Sequence, residues 1–217
     1  MLKDIVIIGA GGFAREVLFI LEENNKIKKQ WNILGFIDNK QSGNIHGYPI
    51  IGNDDFLKEY SGIIHAACGI GSPKLKKKIM GQFLNYDNII FPNIVANGVI
   101  GDFNNIDMNH GCIICEGNIL TTDIRLGDFV TINLSCTIGH DTLIGDYTTI
   151  NPGSNISGNV FLGICADVGT GSKIIQGKTI GENVIIGAGA VVTKDMPDNC
   201  TVVGVPAKVI KMNGESI

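Results

Sequence analysis

The chain has 217 residues, 44% of them hydrophobic and 18% charged, with a formal net charge of −4, which is enough apolar material for a sizeable core in one large or two small domains. The acidic balance, without a basic stripe carrying interleaved aromatics, argues against a nucleic-acid partner. No run approaches the roughly 18 uncharged apolar residues of a membrane span, and a strand pattern starts just after Met1, so a cytoplasmic protein without signal peptide or membrane span is expected.

Residues 1–85 read as βαβ units. Residues 4–8 make a short aliphatic strand, Gly9-Ala10-Gly11-Gly12 turns it, and residues 14–24 carry helical apolar spacing at Val17, Leu18 and Leu21. A second strand over 33–37 ends at Asp38, and a third over 63–67 ends at Gly69-Ile70-Gly71. Pro73 then stands where a helix over 74–84 can start. Its lysines Lys74, Lys76, Lys77 and Lys78 are expected on the solvent face. Gly9-x-Gly11-x-x-Ala14, followed by Asp38 at the next strand end, is the dinucleotide fingerprint, which alone predicts a nicotinamide or flavin cofactor. The domain is only about half of a full dinucleotide-binding fold.

Residues 86–217 follow a different rule. Stepping by six from Ile114, the chain reads Ile114, Leu120, Leu126, Ile132, Ile138, Ile144, Ile150, Ile156, Leu162, Val168, Ile174, Ile180, Ile186 and Val192, fourteen aliphatic residues without a slip. The residue two earlier is mostly small or β-branched, and the residue after is often glycine or asparagine, read here as the left-handed corner of a turn. Neither a helix period of 3.6 nor strand alternation produces this pattern. A triangular coil does: three hexads make an 18-residue turn, each with a short strand, a corner and one inward aliphatic. Weaker repeats at Ile94, Ile100 and Ile106 extend the prism downward, and residues 194–208 should leave it as a capping tail. The fold class is therefore an α/β N-terminal βαβ half-Rossmann domain followed by a left-handed parallel β-helix.

Six cysteines in a chain read as cytoplasmic are expected to stay reduced, and Cys112-x-x-Cys115 has no second pair, so no metal is expected. Between residues 85 and 171 Arg125 is the only Lys or Arg, whereas Lys173, Lys178, Lys194, Lys208 and Lys211 lie beyond and can meet phosphates. The lone histidines His46, His65 and His110 are expected to be structural.

A glycine-turn βαβ domain (Ile7-Ile8-Gly9-Ala10-Gly11-Gly12-Phe13-Ala14-Arg15-Glu16), a prism holding Ile138-Gly139-His140-Asp141, and a closing Gly204-Val205-Pro206-Ala207-Lys208 together resemble the bacterial sugar acetyltransferases. More narrowly, they are similar to the trimeric enzymes that N-acetylate nucleotide-linked amino sugars, and to the sialic acid O-acetyltransferases. The resemblance implies a nucleotide sugar in the glycine crevice, with Gly9, Gly11, Gly12, Phe13, Ala14, Asp38, Asn39, Gly69 and Gly71 as candidate contacts. It implies acetyl-CoA along the prism, with Thr149, Gly169, Gly187, Ala188, Pro206 and Lys208 as candidates, and a homotrimer. It also assigns general-base and acid-partner roles to His140 and Asp141. Relatives often carry histidine where this chain has Phe13 and Thr149.

Transfer from a thioester to a sugar amine needs a neutral nucleophile, and a histidine of unperturbed pKa about 6.5 can take the proton. Asp141 can fix the imidazole tautomer, and Asp123, 18 residues earlier, is expected one coil below. Three alternatives stand beside amine acetylation. One is O-acetylation of a sugar such as sialic acid. Another is a zinc β-helix enzyme, for which His110 and His140 supply too few ligands, and the last is a non-catalytic prism.

Overall fold

The computed structural model describes residues 2–216. The first part contains β1 (Lys3–Ile8), α1 (Gly12–Ile27), β2 (Trp31–Ile37), β3 (Asn44–Ile45), β4 (Tyr48–Gly52), α2 (Asp54–Glu59), β5 (Ile64–Cys68), α3 (Pro73–Met80) and β6 (Ile89–Ile90). Its six strands form one sheet in the order β3-β4-β2-β1-β5-β6, parallel except for the β3–β4 hairpin. Central β1 is covered on both faces, which is why Ile5, Val6, Ile7 and Ile8 are all buried and why its sequence is an unbroken aliphatic run. Strand order reverses at β1, so β1, β2 and β5 open a crevice at their carboxyl ends.

The three expected strands and both expected helices are present with shifted bounds. Helix α3 stops at Met80, where Gly81 caps it, short of residue 84. The β3–β4 hairpin and α2 were not anticipated, and β6, beyond residue 85, pairs with β5 at the edge of this sheet.

From Ile94 the chain winds as a left-handed parallel β-helix with three faces. The first face stacks Ile94–Val95, Ile113–Ile114, Thr131–Ile132, Thr149–Ile150, Asp167–Val168 and Ile185–Ile186. The second runs from Ile100–Gly101 to Val191–Val192, and the third from Ile106–Met108 to Thr179–Ile180. All fourteen repeat aliphatics fall in one apolar core.

Three details depart from the sequence reading. The left-handed residue of each corner is the third after the aliphatic, not the first: Asp123, Phe129, Ser135, Asp141, Tyr147, Asn159 and Cys165 all have φ between 54° and 61°. The glycine immediately after the aliphatic serves close stacking. A Cβ on Gly163 would lie 2.6 Å from the Gly181 carbonyl carbon of the next coil, and one on Gly145 2.8 Å from that of Gly163. In the first coil the inward residues are Val95 and Gly101, paired with Ile114 and Leu120, so Ile100 points outward. The chain between Gly101 and Met108 carries one more residue than a hexad, and with a side-chain period of two that slip turns Ile100 to the other face. The prism also continues past residue 194: Cys200–Val203 pairs in parallel with Ile185–Ile186, and only then does Lys208–Met212 fold back antiparallel.

The N-terminal part packs on the first face. Trp31 and other residues of the sheet and α1 share one buried cluster with Ile94 and Ile113, while Ile70 and Phe83 share another with Phe129, Tyr147 and Cys165 at the corner leading into that face. Asn24 Nδ2 donates to Val95 O at 2.9 Å across the junction. Lys76, expected in solvent, is fully buried there.

Candidate active site

His140 stands on the corner between the second and third faces, directly after inward Ile138 and corner Gly139. The chain leaves the corner through Asp141, whose φ of 59° is one that aspartate tolerates better than most side chains. The corner is pinned by its neighbours: Asn159 N donates to His140 O at 2.7 Å and Asp141 N to Thr122 O at 3.3 Å. The His140 side chain is 52% exposed and that of Asp141 61%, so both project outward. His140 Nδ1 lies 2.7 Å from Asp141 Oδ2. A carboxylate only accepts, so Nδ1 carries the shared proton and Nε2 is left with its lone pair. The imidazole lies over Gly158, one coil above: a Cβ there would come within 2.5 Å of Nε2 and 2.7 Å of Cε1. Gly158 was not singled out from sequence, because only the stacking of coils brings it under the ring.

On the Asp141 side of the corner a 450 Å³ cavity is lined by Asp141, Asp123, Asp107, Arg125 and Leu143 with Asn104, Asn105 and Ile124, and His140 is not part of its lining. Asp123 therefore shares the cavity with Asp141, as the 18-residue spacing implied. Its carboxylate takes a hydrogen bond from Thr122 Oγ1 at 3.3 Å and makes none with His140.

The second constellation is the crevice of the N-terminal part, also 450 Å³. Gly9, Gly11, Gly12, Phe13, Asp38, Asn39, Gly69 and Gly71 line it together with Ala10, Lys40, Gln41, Asp54, Ser72 and Leu75. The glycines divide by role. Gly9 has φ of 97°, which the turn requires, and a Cβ on Gly69 would lie 2.6 Å from Ala14 Cβ, so Gly69 lets α1 close onto β5. Gly11 and Gly71 have neither positive φ nor any neighbour within 4 Å of an added Cβ. Their bare backbone faces open space, where a ligand can approach it closely. Asp38 is committed mainly to the protein: Oδ2 accepts from Ala10 N at 3.1 Å, and Oδ1 from Lys40 N and Gln41 N at 2.8 and 3.0 Å. Asn39 is paired with Asp54 at the head of α2. Phe13 lines the crevice and leans on the core. Ala14 is fully buried under the crevice as the packing partner of Gly69.

Thr149, a candidate for the cofactor, is engaged within the protein. It is buried on the first face, where its hydroxyl donates to Gly71 O at 2.7 Å and accepts from Lys76 Nζ at 3.1 Å, so it has no free hydroxyl for a cofactor. Gly169, Gly187 and Ala188 lie on the corner between the first and second faces, and Pro206 and Lys208 follow in the tail, which crosses the top of the second face through Ala207 N to Val191 O. These five thus flank the same face whose far corner carries His140. His65 is buried, with Nδ1 3.1 Å from Asp4 O and its ring edge-on to Trp31, and burial lowers its pKa. The six cysteines are free and buried. Among the described residues no group of three or more His, Cys, Asp or Glu is placed to hold a metal, and no helix is long and apolar enough to cross a membrane.

The PglD N-terminal domain family matches residues 4–83. Over nearly its whole length the chain superposes on the acetyltransferase domain of PglB from Neisseria gonorrhoeae FA1090, solved with acetyl coenzyme A, at 26% identity and a TM-score of 0.89, covering 96% of this chain and 100% of that one. The chain has the fold and domain order of the left-handed β-helix sugar acetyltransferases. PerB from Caulobacter crescentus, solved with CoA and GDP-perosamine, matches at 27% identity and a TM-score of 0.86, covering 96% of this chain and 98% of that one. WeeI from Acinetobacter baumannii AYE matches at 29% and 0.84, covering 95% and 99%. A serine acetyltransferase from Bacillus pumilus (strain SAFR-032) is 59% identical over 32 residues, a stretch that spans 15% of either chain.

Proposed function

We propose that the protein is an acetyl-CoA-dependent acyltransferase that moves the acetyl group onto the amine of a nucleotide-linked amino sugar, such as a 4-amino-4,6-dideoxy sugar. His140 acts as the general base. The observation that carries this reading is the His140–Asp141 pair, with Nδ1 committed to the carboxylate and Nε2 turned toward the bare backbone of Gly158 on a half-exposed corner. In the reaction the sugar nitrogen attacks the thioester carbonyl while Nε2 takes its proton. Asp141 stabilises the imidazolium that forms, and as the carbon–sulfur bond breaks the proton passes to the departing thiolate.

The fold likeness to PglB and PerB, one solved with acetyl coenzyme A and the other with CoA and GDP-perosamine, supports acetyl-CoA along the second face and a nucleotide sugar in the glycine crevice. The bare Gly11 and Gly71 fit a diphosphate at the head of α1. Within one chain the crevice lies against the first face and His140 on the corner opposite that face. A homotrimer with prisms side by side, in the cytoplasm where nucleotide sugars and acetyl-CoA occur, joins one chain's crevice to another's base.

The test is thiol release from acetyl-CoA with a panel of UDP-, GDP- and dTDP-linked amino sugars, with sialic acid included. Release with an amino sugar is expected, and His140→Ala should abolish it. Release with sialic acid alone would move the reaction to a hydroxyl, and release with no acceptor would defeat the proposal.

A further inference from the structure

The deepest charge in the molecule lies outside the proposed chemistry. Lys76, on α3, has 0% of its surface exposed. Among the described residues its ammonium forms no ion pair, although the carboxylate of Asp167, the register partner of Thr149, acts on it from the next coil: Nζ donates to Thr131 Oγ1 at 2.8 Å, Thr149 Oγ1 at 3.1 Å and Thr148 O at 3.5 Å. Burial pulls its pKa down to about 8. Desolvating a cation is costly, and a methionine would fill the same space more cheaply. Something is gained for that cost at the far end of the network.

That end is Gly71. Thr131 and Thr149 are register partners on adjacent coils of the first face, and Thr149 Oγ1, held from one side by Lys76, donates to Gly71 O at 2.7 Å. Gly71 is the loop residue with no side chain and open space around it, so without this bond its peptide plane would be free to turn. The peptide linking Gly71 to Ser72 is trans, so its N–H points opposite to its C=O. With the carbonyl fixed toward the prism, the Ser72 amide faces away from it. Ser72 lines the crevice and its amide donates to no group among the described residues. It is also the N-cap of α3, where an anion is favoured.

We propose that Lys76 is a positioning residue which, through Thr149, locks the Gly71 carbonyl onto the prism and thereby aims the Ser72 amide at the diphosphate of the ligand. The inference rests on the nucleotide-sugar reading of the crevice. The rigid prism thus serves as the template for the phosphate site of the N-terminal part.

The experiment is calorimetric binding of UDP, GDP and dTDP, and of the corresponding nucleosides, to the full chain and to Thr149→Val, Thr149→Ser and Lys76→Met. For the diphosphate that binds the wild type, Thr149→Val should weaken binding about tenfold, the worth of one hydrogen bond to an anion, and nucleoside binding less than twofold. Thr149→Ser, which keeps the hydroxyl, should restore wild-type affinity, and Lys76→Met should act in the same direction as Thr149→Val. Wild-type diphosphate affinity in both Thr149→Val and Lys76→Met would overturn the inference, as would equal losses for diphosphate and nucleoside, which would mean general loosening. Failure of the wild type to bind any of the three diphosphates would instead remove the nucleotide-sugar reading, and the inference with it.

Discussion

Replacing Gly158 with alanine puts a methyl group where the His140 ring now lies. The added Cβ would sit 2.5, 2.7 and 2.9 Å from Nε2, Cε1 and Cδ2. Non-bonded heavy atoms rest at about 3.5–4.0 Å, so the ring must retreat by roughly 1 Å. The backbone above it belongs to the next coil and cannot yield, while the half-exposed imidazole can turn outward. A retreat of that size takes Nδ1 from 2.7 Å to beyond hydrogen-bond range of Asp141. A misplacement of about 1 Å in a catalytic group costs on the order of 10²-fold in rate. The fold should not suffer: Gly158 does not use a left-handed φ, so alanine introduces no strain and removes roughly 0.4–1 kcal/mol of unfolded-state freedom. Steady-state kinetics of thiol release, paired with a thermal melt, should therefore show kcat down about a hundredfold with the melting temperature held or raised. A Gly158→Ala variant with kcat within twofold of wild type would refute the claim that the ring works from this position.

Further outcomes follow from the same geometry. Asp141→Asn keeps a side chain that tolerates the corner's φ of 59° but replaces an acceptor-only carboxylate by an uncharged amide that can donate as well as accept, so it neither fixes the His140 tautomer nor stabilises the imidazolium; kcat should fall on the order of 10²–10⁴-fold with no change in unfolding midpoint. Gly69→Ala and Gly71→Ala should separate packing from binding. The first drives a methyl into Ala14 and should cost roughly 1–3 kcal/mol in denaturant unfolding, whereas the second leaves stability alone and raises KM for the acceptor. Lys76 gives a pH signature. Its folded pKa of about 8 lies below the 10.5 of an unfolded lysine, so from pH 8 to 10.5 the unfolded chain binds more protons than the native one and stability rises with pH. The unfolding free energy of wild type relative to Lys76→Met should climb across that window by at most about 3 kcal/mol, and a flat difference would contradict the buried charge.

Much of this protein is legible in its sequence because the β-helix is a local rule repeated. Each hexad fixes one inward aliphatic, and fourteen in succession leave no other structure that buries them all, so the prism, its core and the outward place of His140 and Asp141 follow without knowledge of contacts. The glycine turn between β1 and α1 is equally local. What the sequence misassigned depends on what lies one coil away or across the domain junction. Glycines following the aliphatics look like turn residues until the next coil is seen pressing on them, while the left-handed φ falls on aspartate, serine and tyrosine that the corner holds in place. The extra residue before Met108 turned Ile100 outward because a strand's faces alternate, and no propensity marks such a slip. Lys76 looks like a surface lysine in a run of four, and Thr149 like a replaced ligand. Only the docking of α3 on the first face makes one the buried partner of the other and turns both toward the crevice loop.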